Sequence, residues 1–130
     1  FTAGLDAGRG FNTWPLMHDQ FLADAATMIN PLWLNLIENG VMIQFVHRWL
    51  GALLVLGIVA FSFAAIRQGV LLRPVFFLLL VSGFQFLLGL LTLLYAVPVV
   101  LGSLHQAFAC LMVLVLAYLI YVSLPDKKTL

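Results

Sequence analysis

The stretch VMIQFVHRWLGALLVLGIVAF, Val41 to Phe61, is almost wholly apolar, yet it carries His47 and Arg48 side by side near its start. About 20 residues of helix cross a bilayer core. A run of this length is too long for an ordinary strand, and a helix satisfies its own backbone groups in lipid. The stretch therefore reads as a transmembrane helix, predicted over about Val41 to Ile66. Two further runs of the same kind follow, Pro74 to Val97 and Val99 to Leu124. Gly69 with Pro74 marks the first turn and Ala96-Val97-Pro98 the second, because the residue before a proline is pushed away from helical geometry. Pro125 ends the third run. The predicted fold class is all-α, an integral membrane bundle of three helices preceded by a long loop.

Composition agrees. Hydrophobic residues make up 64% of the 130 residues, against about 45–50% in ordinary globular domains, and charged residues 8% against about 25%. A water-soluble surface cannot be built from that, so membrane lipid is the expected partner. The formal charge of +1 offers no basic field and argues against a nucleic-acid partner. Cys110 is the single cysteine, so no intrachain disulfide forms and cysteine usage does not report the redox compartment. The first residue is Phe, and no basic-then-apolar signal pattern precedes Thr2; the chain reads as a piece of a longer protein or a processed product.

Residues 1–40 are different in kind, holding Asp6, Arg9, Asp19, Asp24 and Glu38. They are expected to form a loop on the outer face, with a short surface helix over Asp19 to Ile29, and residues 41–130 the helical half-bundle. Trp14 and Trp33 suit a membrane–water interface, and Glu38-Asn39-Gly40 reads as a helix start. Arg67 and Arg73 lie in the first turn and Lys127 and Lys128 in the tail. By the positive-inside rule this turn and the C-terminus face the cytoplasm, and the loop faces outward.

Polar groups inside a span are costly, so each needs a partner or a role. His47 lies seven residues after Gly40, and His105 lies seven after Pro98. At 1.5 Å per residue both sit roughly 10 Å in from the same end of the bundle, on helices that run the same way. Two imidazoles at one depth can bind one porphyrin iron from opposite faces. Gln44, His47 and Gly51 share one helix face, as do Gly102, His105 and Ala109; Gln85, Gly89 and Thr92 form a stripe on the middle helix. Small residues there leave room for a flat ring. They are equally what close helix packing requires, and Gln, Thr and His hydrogen-bond between helices without any cofactor. No further ligand residue lies at that depth, which disfavours zinc or copper. Arg48 has three readings: snorkelling outward, pairing with Glu38, or holding a haem propionate. Glu38 has a second role open to it, capping a helix start. His18 reads as a solvated loop residue.

Three separated motifs, GLDAGRGFNTWPLM (Gly4 to Met17), ENGVMIQFVHR (Glu38 to Arg48) and QFLLGLLTLLYAVPVVLGSLHQ (Gln85 to Gln106), resemble the second half of haem A synthase in order and spacing. The resemblance covers nearly the whole chain. It implies half of an eight-helix protein with a two-fold repeat, here the last three helices with the outer loop, and the end of a preceding helix at Phe1 to Ala3. That family oxidises a methyl group of haem O to the formyl group of haem A. The first half carries a glutamate three residues before its first histidine. Gln44 stands at that position here, and a glutamine exchanges no proton near neutral pH. The resemblance therefore implies a permanent haem b in this half, with His47 and His105 as iron ligands and Gln44, Arg48, Gly51 and Gln106 around the cofactor. Haem O is the substrate of the full-length enzyme.

Further implications concern the surroundings. The N-terminal half of the same protein, haem O synthase and a terminal oxidase are implied partners. The membrane is the bacterial inner membrane, or the mitochondrial one in a eukaryote. The chain departs from the pattern in lacking the first half and a loop cysteine pair, which implies that it is inactive alone. A competing reading is a membrane cytochrome b module that carries electrons without altering haem, and a third is a helical scaffold without cofactor. The cytochrome b reading does not account for the loop motifs.

Overall fold

The computed structural model describes residues 7–69 and 72–124. Phe1 to Ala3, Pro125 and the Lys127-Lys128 pair, which carried expectations above, lie outside the described residues. A short turn α1, Asn35–Glu38, leads into three long helices: α2, Gly40–Arg67; α3, Leu72–Leu94; and α4, Val99–Ser123. All three are long and apolar enough to cross a membrane, and no strand occurs among the described residues. The protein is a membrane helical bundle.

The helix ends follow from local chemistry. The Asn39 side chain accepts from the Val41 N–H at 2.9 Å and caps α2, so Asn39 takes the role that Glu38 was a candidate for. Gly69, at φ 67°, turns the chain after α2 in a region that favours glycine. Helix α3 stops at Leu94, three residues before the predicted Val97. The Val97 N–H bonds the Thr92 carbonyl at 2.8 Å and the Ala96 N–H bonds that of Leu93 at 3.1 Å, the paired bonds of a Schellman ending. Ala96 and Val97 have φ of 56° and 60°. For a β-branched residue such as Val97 that conformation costs on the order of 1–3 kcal/mol.

Helix α3 is the middle of the bundle and packs on both α2 and α4. Accordingly its most apolar stretch is buried to a greater extent than those of its two neighbours. The apolar core, Ile58, Val75, Leu78, Val115 and Leu119, lies toward the Arg67 end. Between α2 and α4 on that half runs a cleft of about 640 Å³, floored by Leu78 and lined by Leu53, Phe61, Leu116 and Ile120.

The other end is covered by residues 7–39. The expected surface helix over Asp19 to Ile29 does not form. Only a 3-10 turn, Asp24–Thr27, appears there, followed by a second at Leu32–Leu34. Polar side chains take up the backbone instead. Asn35 accepts from the Ile29 N–H at 3.0 Å and donates to the carbonyls of Ile29 and Leu32 at 2.7 and 2.9 Å. Asn39 donates to the Ala25 carbonyl at 2.7 Å. Such side-chain bonds compete with helix formation, and the modest apolar stripe from Phe21 to Met28 does not outweigh them. Trp33 is exposed, as an interfacial residue is, whereas Trp14 is half-buried against Trp49 and Phe86.

Candidate functional site

His47 projects from α2 and His105 from α4, and their ring centroids lie 6.2 Å apart with the planes at 85°. The equal depth inferred from spacing is thus realised as proximity. His47 is exposed on the flank of the bundle and His105 is half-buried. The imidazole of His105 leans on the middle helix. Its Nδ1 is 3.1 Å from the Gln85 carbonyl oxygen and its Nε2 is 3.5 Å from the Gln85 amide nitrogen. A carbonyl only accepts, so Nδ1 carries the proton and Nε2 keeps its lone pair. Gly89 makes this seat: a Cβ there would lie 2.7 Å from Cε1 of His105.

Gln44 and Arg48 lie one turn apart on α2 and are 3% and 6% exposed. Both reach the loop. The Gln44 amide donates to the carbonyls of Gly8 and Phe11 at 3.2 and 3.0 Å. Arg48 donates from Nη1 to those of Thr13, at 2.6 Å, and Leu16, at 3.3 Å, and from Nη2 to that of Phe11. Of the three readings for Arg48, snorkelling and the pair with Glu38 do not occur. A fourth use emerges: its guanidinium organises a turn of backbone. Asn12 completes the strap, donating to the Leu93 carbonyl at 2.8 Å and to that of Gly8 at 3.1 Å. Gly8 itself sits so close to Val97 that a Cβ would come within 2.5 Å of its Cγ2. Below the strap, Trp14, Phe21, Phe45, Trp49 and Phe86 join loop, α2 and α3 in one aromatic cluster.

The remaining candidates divide. Gly51 faces open space, with no atom within 4 Å of a Cβ built on it, and Gln106 is exposed beside His105. Thr92 turns inward on its own helix and donates to the Leu88 carbonyl at 2.6 Å. His18 is exposed, its ring 4.9 Å from that of Phe11. Cys110 is exposed on the apolar flank of α4. Asn12 and Gly8 were not singled out from sequence. The available signal was the pair Gln44 and Arg48, two polar residues at helical spacing whose burial demands partners.

Residues 1–117 match the family model for COX15-CtaA, cytochrome oxidase assembly protein. The chain belongs to this family. Its relatives include the heme A synthases of Bartonella henselae, 42% identical over 110 residues, and of Wolbachia pipientis wMel, 38% identical over 109 residues. That of Beijerinckia indica is 42% identical over 115 residues. These alignments cover 82%, 84% and 84% of this chain but 31%, 30% and 32% of the relatives. The chain spans about a third of the length of the curated relatives it matches. No solved structure matches it. For a chain of this cytochrome oxidase assembly family, the two facing histidines are the feature that calls for a chemical explanation.

Proposed function

We propose that this chain is the C-terminal, cofactor-haem-holding half of a haem A synthase, an enzyme that oxidises the methyl group of haem O to the formyl group of haem A. The observation that carries the reading is the pairing of His47 with His105. Two imidazoles on one iron, at about 2 Å per metal–nitrogen bond and about 1 Å from nitrogen to ring centre, bring their centroids to about 6 Å; the pair stands at 6.2 Å. Among the described residues no group of three or more His, Cys, Asp or Glu side chains gathers. Two imidazoles alone suit an iron whose other four positions a porphyrin fills. Gly51 leaves open space beside α2 for such a ring, and Gln106, next to His105 on α4, is exposed.

When bound, a haem supplies a one-electron redox centre at this depth. The protein's own part is to hold and enclose. His47 and His105 would hold the iron, the Gln85 carbonyl keeps the His105 lone pair on Nε2, and Gln44 and Arg48 clamp the strap over the end of the bundle. Gln44 exchanges no proton near neutral pH, which supports electron transfer rather than methyl oxidation in this half. The substrate haem O then belongs to the N-terminal half of the protein, and haem O synthase and a terminal oxidase are the proposed partners. The membrane is the bacterial inner one, with the strap outside and the Arg67 end in the cytoplasm.

In the full-length protein, His47→Ala and His105→Ala are each expected to abolish the low-spin haem spectrum of this half. Unchanged spectra in both would overturn the assignment. Extraction of haem O and haem A from the purified protein separates a synthase from an electron-carrying cytochrome b, which yields haem b alone.

A further inference from the structure

We infer that Gly89 is a positioning residue for His105: by lacking a side chain it gives the imidazole lateral access to the Gln85 carbonyl, which sets the ring's tautomer and direction. The inference rests on the haem reading above and concerns how this chain prepares one ligand for it.

In an α-helix the Gln85 carbonyl accepts from the N–H four residues on, that of Gly89. A carbonyl has a second lone pair, but the side chain at the position of that N–H normally stands beside it. Here nothing stands there. A Cβ at residue 89 would lie 2.7 Å from Cε1, 3.3 Å from Nδ1 and 3.5 Å from Nε2 of His105. Cε1 therefore occupies volume that any other residue would fill and Nδ1 presses close to it, while Nε2 is at ordinary contact distance. In that volume Nδ1 reaches the Gln85 oxygen at 3.1 Å. The opposing contact, Nε2 to the Gln85 amide nitrogen at 3.5 Å, is too long for a strong hydrogen bond. The Gln85 Oε1 atom is buried without a partner, so the side-chain amide is not locked against the ring. The backbone carbonyl is the firm contact and the amide is the one that gives way.

A carbonyl accepting from Nδ1–H raises the basicity of Nε2 and holds the ring's orientation, as outer partners of metal-bound histidines do. A methyl group at residue 89 removes both effects at once. The other glycine of the same helix makes no such contact: a Cβ at Gly83 meets nothing within 4 Å. That contrast separates the seat from a general need for small residues.

The test uses the full-length protein with its haem, carrying Gly89→Ala or, for comparison, Gly83→Ala. Gly89→Ala is expected to weaken haem retention in this half by about 10- to 100-fold, as loss of an outer partner does at metal sites. The haem retained is expected to show high-spin character and a more positive midpoint potential, while Gly83→Ala keeps the parent spectrum and potential. If Gly89→Ala matches Gly83→Ala in retention, spin state and potential while His105→Ala lacks the haem, the positioning role is overturned and the haem reading stands. If His47→Ala and His105→Ala both keep the full low-spin signal, the haem reading falls and the inference with it. Should Gly89→Ala fail to accumulate, nitrogen NMR of histidine-labelled, haem-depleted protein decides, with the His105 signal assigned by its loss in His105→Gln. A proton on Nδ1 supports the inference, and a proton on Nε2 overturns it.

Discussion

The two ends of the bundle are built on different physics. Toward Arg67, Ile58, Val75, Leu78, Val115 and Leu119 pack as an apolar cluster with no polar contact among their side chains. Toward the loop, polar Gln44, Arg48, Asn35, Asn39 and Thr92 are buried beside Met17, Ala26 and Ile43. Apolar packing is non-directional and tolerates small slides of one helix along another. Hydrogen bonds fix distance and angle. The paired histidines lie at the end where directional bonds hold the chain, where two rings from separate helices must keep one spacing. The long polar side chains that this bundle buries gather toward the loop, and the rest of it buries only the small hydroxyls of Ser62 and Ser82.

The sharpest way to break this contrast is Arg48→Ala. It leaves the carbonyls of Thr13 and Leu16 without a donor and that of Phe11 with Gln44 alone, at a cost on the order of 4 kcal/mol since bonds to charged groups contribute about 1.5–3 kcal/mol each. The expected outcome is loss of hydrogen-exchange protection across residues 8–17 with protection near Leu78 retained; uniform loss along the chain would show that the two ends are not separable. Next in size is Leu78→Ala, which empties a fully buried position in the apolar core. About 3 kcal/mol of stability should go, read as a lower thermal midpoint in detergent with the strap's exchange unchanged. The smallest effect belongs to Asn39→Ala. Removing the α2 cap and the bond to the Ala25 carbonyl should cost about 2 kcal/mol and raise exchange at Val41 and Met42, leaving the Leu78 end at its parent rate.

Several features were legible in the chain because they depend on short-range periodicity. Val99 opens α4 as expected, since Pro98 lacks an N–H and presets the helix entry. Leu94 ends α3 early because Ala96 and Val97 take left-handed φ values, which no propensity assigns to valine. Asp19 to Ile29 was misread for a related reason. Its stripe has helical spacing, but Asn35 and Asn39, six and fourteen residues from the Ile29 and Ala25 carbonyls they bind, reward another path. The strap was visible as a motif without a mechanism, because the partners of Gln44 and Arg48 lie more than thirty residues upstream.

Composition and run length alone dictated a membrane bundle of three helices, since no other structure satisfies so much apolar backbone in lipid. Spacing from Gly40 and Pro98 alone put His47 and His105 at one depth, because helical rise is constant. Tertiary structure decided the rest. It brought those rings within 6.2 Å of each other, turned Arg48 toward the loop rather than the membrane edge, and revealed Gly89 as the seat of an imidazole. These depend on how α3 lies between its neighbours, and rotation of a helix about its own axis is fixed by the side chains it meets.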